Sequence, residues 1–255
     1  MSGQKVMRAG AIAVCIIMLV LCCGCAGTEN KTPDFNGAVI ALKPGGYYAL
    51  AAKEYTAQGA LLENYSTVSD AVSALEAGRA DYVLANEYEA ALFTDSDPKL
   101  ELAAVCSYKT EFYGIFHKNN EKLESFNAAI KQLKENGTID NIKASALSGN
   151  VFIRSTLKGE NGRLRVALDA TYAPLSAVNS NGDASGIDAD IANEVCAVAG
   201  MSVEYRVLDF NEAFEALLAD EIDVILTAAE NDSARKSIVY SDSYFEMGYA
   251  LFGRK

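Results

Sequence analysis

The chain has 255 residues, half of them hydrophobic, a formal net charge of −12 and one histidine, His117. That length supports two modest domains, and the acidic balance argues against nucleic acid as a partner. A single histidine excludes most His-based metal sites and catalytic triads, and no cofactor or metal is expected.

Lys5 and Arg8 precede an uncharged run over 9–27 with a dense apolar stretch at 11–21, the pattern of a secretory signal. Residues 1–25 read as a lipoprotein signal peptide and 26–36 as a polar tether. Gly24-Cys25-Ala26 resembles a bacterial lipoprotein cleavage box, which makes Cys25 the lipidated N-terminus, with Cys23 the second choice and an uncleaved anchor the alternative. Cys15 and Cys22 lie in the same segment; Cys106 and Cys196 are expected as free buried thiols, a disulfide between them being possible but not favoured.

Strands are predicted at 38–42, 61–65, 82–85, 100–105 and 113–117, and helices at 47–58, 69–77, 87–93 and 121–135. Gly78 and Asn136-Gly137 supply helix stops. Residues 147–162 carry Gly149, Gly159 and Gly162 among polar residues and read as a linker. The alternation resumes with strands at 164–168, 202–207, 224–226 and 249–252 and helices at 190–199 and 211–219. Asp188 and Asp190 read as capping residues of the first of these helices. Strands alternating with helices indicate α/β with a largely parallel sheet.

The stretch DVILTAAENDSARKSIVYSDSYF, from Asp223, combines an apolar strand, an abrupt polar segment at 230–233 that reads as a helix start, and Arg235. A guanidinium beside a strand's carboxyl end suits a carboxylate ligand. The chain also echoes itself: residues 69–85 overlay residues 211–227 without gaps, pairing Ala71 with Ala213, Leu75 with Leu217 and Asp81 with Asp223. A unit used twice suggests two similar lobes with a ligand cleft at their junction.

On these residues the chain resembles the extracellular solute-binding proteins of amino-acid ABC importers, bacterial solute-binding family 3. LRVALDATYAPLSAVNSNGDASGIDADIANEV from Leu164, and ALLADEIDVILTAAENDSARKSIVYSDSYF with YALFGRK, are similar to that family's first lobe. DFNGAVIALKPGG, SALEAGRADYVLANEYEA and YGIFHKNNEKLESFNAAIKQLKENGTIDNI are similar to its second lobe and closing helices. The implied fold is a two-lobed, type II periplasmic-binding-protein-like α/β architecture, with a mixed, mostly parallel sheet in each lobe and a hinge between them. The implied divisions are a second-lobe segment at 37–112, a return crossover with closing helices at 113–146, the linker at 147–162 and a first-lobe segment at 163–255. That order is the reverse of the family's, as in a circular permutation or a rearranged gene fragment.

The resemblance implies that Arg235 grips the ligand's α-carboxylate and that Asp169 lies near the ligand side chain. It implies Tyr172 and Phe210 as flanking aromatics, Thr227 as a further contact, and Gly45, Gly46 and Tyr47 as backbone donors to an anion. The acid that usually holds the ammonium is replaced by Asn86, with Glu87 beside it, whereas Glu230 replaces a small hydroxyl residue of the Arg turn. Either Glu230 or Glu87 takes over the ammonium, or the ligand is not an ordinary α-amino acid. The implied function is a monomeric, lipid-tethered receptor on the extracytoplasmic face that delivers an amino acid or related zwitterion to an ABC permease. It is not expected to be an enzyme; the alternatives are a ligand-sensing lipoprotein without a transporter and a dehydratase-like enzyme on the same scaffold.

Overall fold

The computed structural model describes residues 33–170, 172–228 and 236–255. In chain order the elements are β1 (Val39–Leu42), α1 (Gly46–Thr56), β2 (Leu61–Asn64), α2 (Val68–Glu76), β3 (Tyr82–Asn86), α3 (Glu87–Ser96), β4 (Leu100–His117), α4 (Leu123–Glu135) and α5 (Thr138–Leu147). They continue as β5 (Arg163–Leu168), β6 (Ala177–Val178), β7 (Ala184–Ser185), α6 (Ile187–Ala199), β8 (Ser202–Val207), α7 (Phe210–Leu218), β9 (Val224–Ala228), β10 (Ile238–Tyr240) and β11 (Phe245–Arg254). Local chemistry explains the boundaries. Thr67 caps α2 by accepting from the Asp70 amide, and Val68, Ala71, Val72, Ala74 and Leu75 form its buried stripe. In α4, Phe126, Ala129, Ile130 and Leu133 are buried at helical spacing. Each large apolar side chain so buried contributes about 1.5–3 kcal/mol.

The strands form a mixed sheet in two halves of the same plan. The first runs β2-β1-β3-β11-β4; the second runs β8-β5-β9-β4, with β10 on the other side of β4. In the first half β1 pairs parallel with β2 and β3, and β11 enters antiparallel. In the second, β5 pairs parallel with β8 and β9, and the far end of β4 enters antiparallel. Each half therefore holds a strand that arrives from the other. β4 and β11 run antiparallel to one another from Phe245 opposite Phe112 to Arg254 opposite Leu100, and this two-strand ribbon joins the halves.

The internal echo is a repeat of backbone geometry. Shifting α2 and β3 by 142 positions gives α7 and β9 end for end. Both helices have a capping side chain, Thr67 and Asp209. Both are followed by a left-handed residue, Gly78 (φ 70°) and Asp220 (φ 58°). Asp81 then accepts from the Val39 amide at 2.8 Å, as Asp223 accepts from the Arg165 amide at 2.7 Å. In each half the aspartate anchors the third strand to the first.

Several expectations need correction. The two strands predicted at 100–105 and 113–117 are one continuous strand, β4, because its charged middle lies on the ribbon between the halves rather than in a loop. Asp188 and Asp190 do not cap a helix at 190. The helix starts earlier, at Ile187 after Gly186, and both aspartates lie in its first turn. Asp188 is fully buried and accepts from Ser176 Oγ and Tyr244 Oη, each at 2.7 Å. Asp190 pairs with Arg154 at 2.7 Å; burial raises its pKa, and the Arg154 charge opposes that rise. Helix α5, the β6–β7 pair and β10 have no counterpart among the elements predicted from periodicity. Residues 148–162 contain no helix or strand, yet they are pinned: Ser155 donates its amide and hydroxyl to Glu194, both at 2.7 Å. Cys106 and Cys196 are free and buried, and burial pushes their thiols up to about 11 and about 12.

Candidate functional site

Open α/β sheets present ligand sites beyond the carboxyl ends of their parallel strands, and those candidate residues that are described lie near such ends in both halves. β1 runs into Lys43 and Gly45, β3 ends at Asn86, β5 runs into Asp169 and Tyr172, β8 into Phe210, and β9 contains Thr227. Arg235, implied to grip the ligand's carboxylate, and Glu230, one of the two acids considered for its ammonium, lie outside the described residues, as does the side chain of Thr227.

A cavity of about 50 Å³ opens between the halves. Lys43, Tyr48, Asn86 and Glu89 line it from one side, Tyr172 to Leu175 from the other, and Met247 and Tyr249 from the ribbon. Tyr172 is 39% exposed and bridges to Ser176, whose amide donates to the Tyr172 carbonyl at 3.0 Å. Its loop is latched onto α6: the amides of Ile187 and Asp188 donate to the carbonyls of Pro174 and Leu175. Gly186 makes this approach possible. At φ 96°, a Cβ there would come 2.6 Å from the Leu175 oxygen and 2.7 Å from that of Pro174.

Asn86 occupies the position the resemblance assigns to an ammonium-binding acid, and its chemistry is different. It is buried and caps α3, accepting from the Tyr88 and Glu89 amides at 3.0 and 2.9 Å. Its Nδ2 donates to Glu89 Oε2 at 2.7 Å, and Tyr48 Oη donates to the same oxygen at 2.8 Å. Glu87 faces elsewhere. Its Oε1 accepts from the Gly248 amide at 3.0 Å and lies 3.9 Å from Lys143 Nζ, on the ribbon side of α3. Glu89 is thus the carboxylate that lines the cavity, and it is not among the residues the resemblance implies. Its signal was present: Asn86-x-x-Glu89 is the spacing of a helix N-cap and its third residue, a pattern normally read as local capping.

Tyrosines supply most of the remaining polar surface. Burial, reinforced by the Glu89 charge, holds the Tyr48 hydroxyl far above the ordinary phenol range, so it is a donor across the physiological range. Burial and the charges of Glu89 and Asp169 raise Tyr172 in the same direction. Tyr249 packs edge-on against Tyr48, with ring centroids 5.5 Å apart, and its hydroxyl lies 2.9 Å from Thr110 Oγ1. Gly45 precedes α1 with extended backbone and no side-chain cap, and Tyr47 is half-buried in that helix's first turn. Phe210 opens α7, 43% exposed, stacked on Phe214 at 6.4 Å. Phe210 and Gly45 are not among the residues that line the 50 Å³ cavity.

Two sheet halves of one plan, exchanging a strand each and facing a polar cavity at their strand ends, define an α/β binding-protein fold of the type II periplasmic kind. Residues 164–255 match the model of the bacterial extracellular solute-binding proteins, family 3. The lysine/arginine/ornithine-binding periplasmic protein of Escherichia coli (strain K12) is 30% identical over 93 residues, 36% of this chain and 36% of its own. A probable histidine-binding protein of Neisseria gonorrhoeae is 29% identical over 84 residues, 32% and 31% of the two chains. The chain thus spans about a third of the length of the curated relatives it matches. Among solved structures, an ancestral cationic amino acid solute binding protein aligns with 86% of this chain and 82% of its own at 15% identity and a TM-score of 0.46, too distant to carry function. Among the described residues no helix is long and apolar enough to cross a membrane.

Proposed function

We propose that the protein is an extracytoplasmic receptor that closes its two halves on a small polar ligand, an amino acid or related zwitterion, and presents it to an ABC permease. The observation that carries this reading is the convergence of strand ends from both halves on one polar cavity, with the β4–β11 ribbon at its back. Two lobes on a two-strand connection suit hinge closure around a ligand. The curated relatives it resembles are binding proteins for amino acids by name, which favours capture over catalysis. Lipid on Cys25 would tether the receptor to the outer face of the membrane.

The order of the halves fits a circular permutation within the family. The chain builds the 37–112 segment first, crosses on β4, continues through 163–255 and returns on β11, so that the ribbon is complete although the segments are exchanged. The segment 147–162 would then join what are termini elsewhere, a tolerated rearrangement because domain ends lie at the surface.

Arg235 would hold the ligand carboxylate by a bidentate, charge-assisted pair worth roughly 1.5–3 kcal/mol per bond. Arg235→Ala is expected to weaken ligand binding at least ~10-fold by titration calorimetry; unchanged affinity would remove Arg235 from the site.

A further inference from the structure

The ribbon that joins the halves is open along part of one edge. β4 pairs with β11 from Phe245 to Arg254, whereas β3 pairs with it only from Tyr249, opposite Asn86, onward. Over 245–248, where β11 passes between the halves, no strand among the described residues lies on the edge away from β4. Backbone groups of a strand need partners, and here two charged side chains supply them. Glu87, the first residue of α3, accepts from the Gly248 amide through Oε1 at 3.0 Å. Lys143 of α5 donates through Nζ to the Glu246 carbonyl, also at 3.0 Å, and lies over the Phe245 ring at 5.3 Å.

The two charges are 3.9 Å apart, with Lys143 24% and Glu87 30% exposed. Gly248 leaves them room: a Cβ there would come 3.3 Å from Glu87 Oε2. What sets this pair apart is the origin of its members. α3 packs on β3 and β11 of the first half, whereas α5 packs on α4 and α6, and α6 covers β5 and β8 of the second. Lys109 and Glu246, the other ion pair on the ribbon, link its two strands to each other and are more exposed, at 54% and 43%. Directly beyond Gly248 the pairing shifts. Gly248 faces Lys109, but Ala250 faces Val105, so Tyr249 opposes Cys106, Ser107 and Tyr108. Such a bulge bends the strand that carries it, so the charged pair sits beside the bend in the ribbon.

We propose that Glu87 and Lys143 are positioning residues of a hinge, an ion pair made across the two halves on the open edge of the ribbon that holds the halves in this arrangement. Movement of one half on the other lengthens or breaks the pair. This deepens the receptor reading, in which the halves close on a ligand, and rests on it for its purpose. A contact made in one of two arrangements shifts their populations by its differential free energy, and it shifts apparent ligand affinity through the same populations.

The test is a pulsed electron–electron distance measurement on the unliganded full-length chain in detergent micelles, with spin labels at Ser73→Cys and Glu215→Cys. These exposed positions lie in α2 and α7, one in each half, and correspond under the 142-residue repeat. Cys15, Cys22, Cys23 and Cys25 are changed to serine, and Cys106 and Cys196 are buried. Glu87→Gln and Lys143→Met are each expected to lower the ratio of the main distance to all others by roughly 2- to 5-fold, the double variant no further. Lys143→Arg should restore the wild-type distribution, because it keeps the charge and the donor, and Lys109→Met should leave it unchanged. Glu87→Gln and Lys143→Met distributions that superimpose on wild type overturn the proposal, and if their melting points fall all the same the pair is merely structural. A shift of equal size in Lys109→Met, or effects of the two variants that simply add, overturns it as well. No ligand is present in the measurement, so its failure leaves the receptor reading intact, and failure of every amino acid to bind leaves the distance result standing.

Discussion

The two repeated units share a backbone and differ in what they are fastened to. In the first, Asp81 is exposed and its carboxylate accepts from the Val39 amide. In the second, Asp223 is 2% exposed and holds the Arg165 amide, the Arg165 guanidinium at 2.8 Å and the Lys122 ammonium at 2.8 Å. Lys122 immediately precedes α4, so this aspartate ties the third strand to the first and to the closing helix together. The shared geometry needs only an aspartate before the strand; the added cations belong to the half that must carry extra helices. The helices that open each half differ likewise. Gly45 and Gly186 both precede a helix, but Gly45 is extended, whereas Gly186 has a φ of 96° and a neighbouring backbone in the way of a Cβ.

Substitutions at matched positions break the comparison in order of size. Asp223→Asn leaves the partly buried Lys122 without its anion and Arg165 with only the exposed Asp220, and is expected to cost about 3 kcal/mol in chemical denaturation. Asp81→Asn should cost about 1 kcal/mol, the worth of one exposed charged acceptor. Equal losses would mean that the cation network adds nothing. Gly186→Ala forces the latched 172–176 loop to move and should cost about 2–3 kcal/mol, whereas Gly45→Ala, whose Cβ would meet nothing nearer than a Tyr48 ring atom at 3.7 Å, should stay within ~0.5 kcal/mol. The smallest contrast is at the helix ends. Gly78→Ala should cost about 1 kcal/mol at φ 70°, and Asp220→Gly should be near neutral, relief of its positive φ offsetting the lost exposed pair with Arg165.

Acid sharpens the first of these contrasts. Burial alone would raise the Asp223 pKa, but hydrogen bonds from Arg165 and Lys122 outweigh it and bring the carboxyl down to about 2 from an ordinary value of 3.8. A depressed carboxylate contributes stability that is fully present above its unfolded pKa and is lost as pH falls through the folded one. Between pH 4 and pH 2 the wild-type protein should therefore lose about 2 kcal/mol that Asp223→Asn does not lose, measured as a difference in denaturation midpoints. Parallel acid profiles for the two proteins would contradict the network.

The repeat was legible because a short motif fixes its geometry: a capped helix, a left-handed stop, an aspartate and an apolar strand. The ribbon was not. Lys109, Thr110 and Glu111 break the apolar pattern of β4 where it leaves one half for the other, and they read as a loop between two strands. The start of α6 was misplaced because its glycine cap carries no side-chain signal, while Asp188, two residues into the helix, resembles a cap. At the site, resemblance led to Asn86 and Glu87, the residues next to the strand end. Only the hydrogen bonds show that Asn86 is a helix cap, that Glu87 serves the ribbon and that the cavity acid is Glu89, one turn further along.

The central claim is that the two halves close on a small zwitterion. It is tested most directly by thermal melting of the chain across a panel of amino acids. The account predicts one cooperative transition whose midpoint rises steadily with the concentration of the bound member, as mass action requires. A melt with separate transitions, or one that no member of the panel moves, would contradict it.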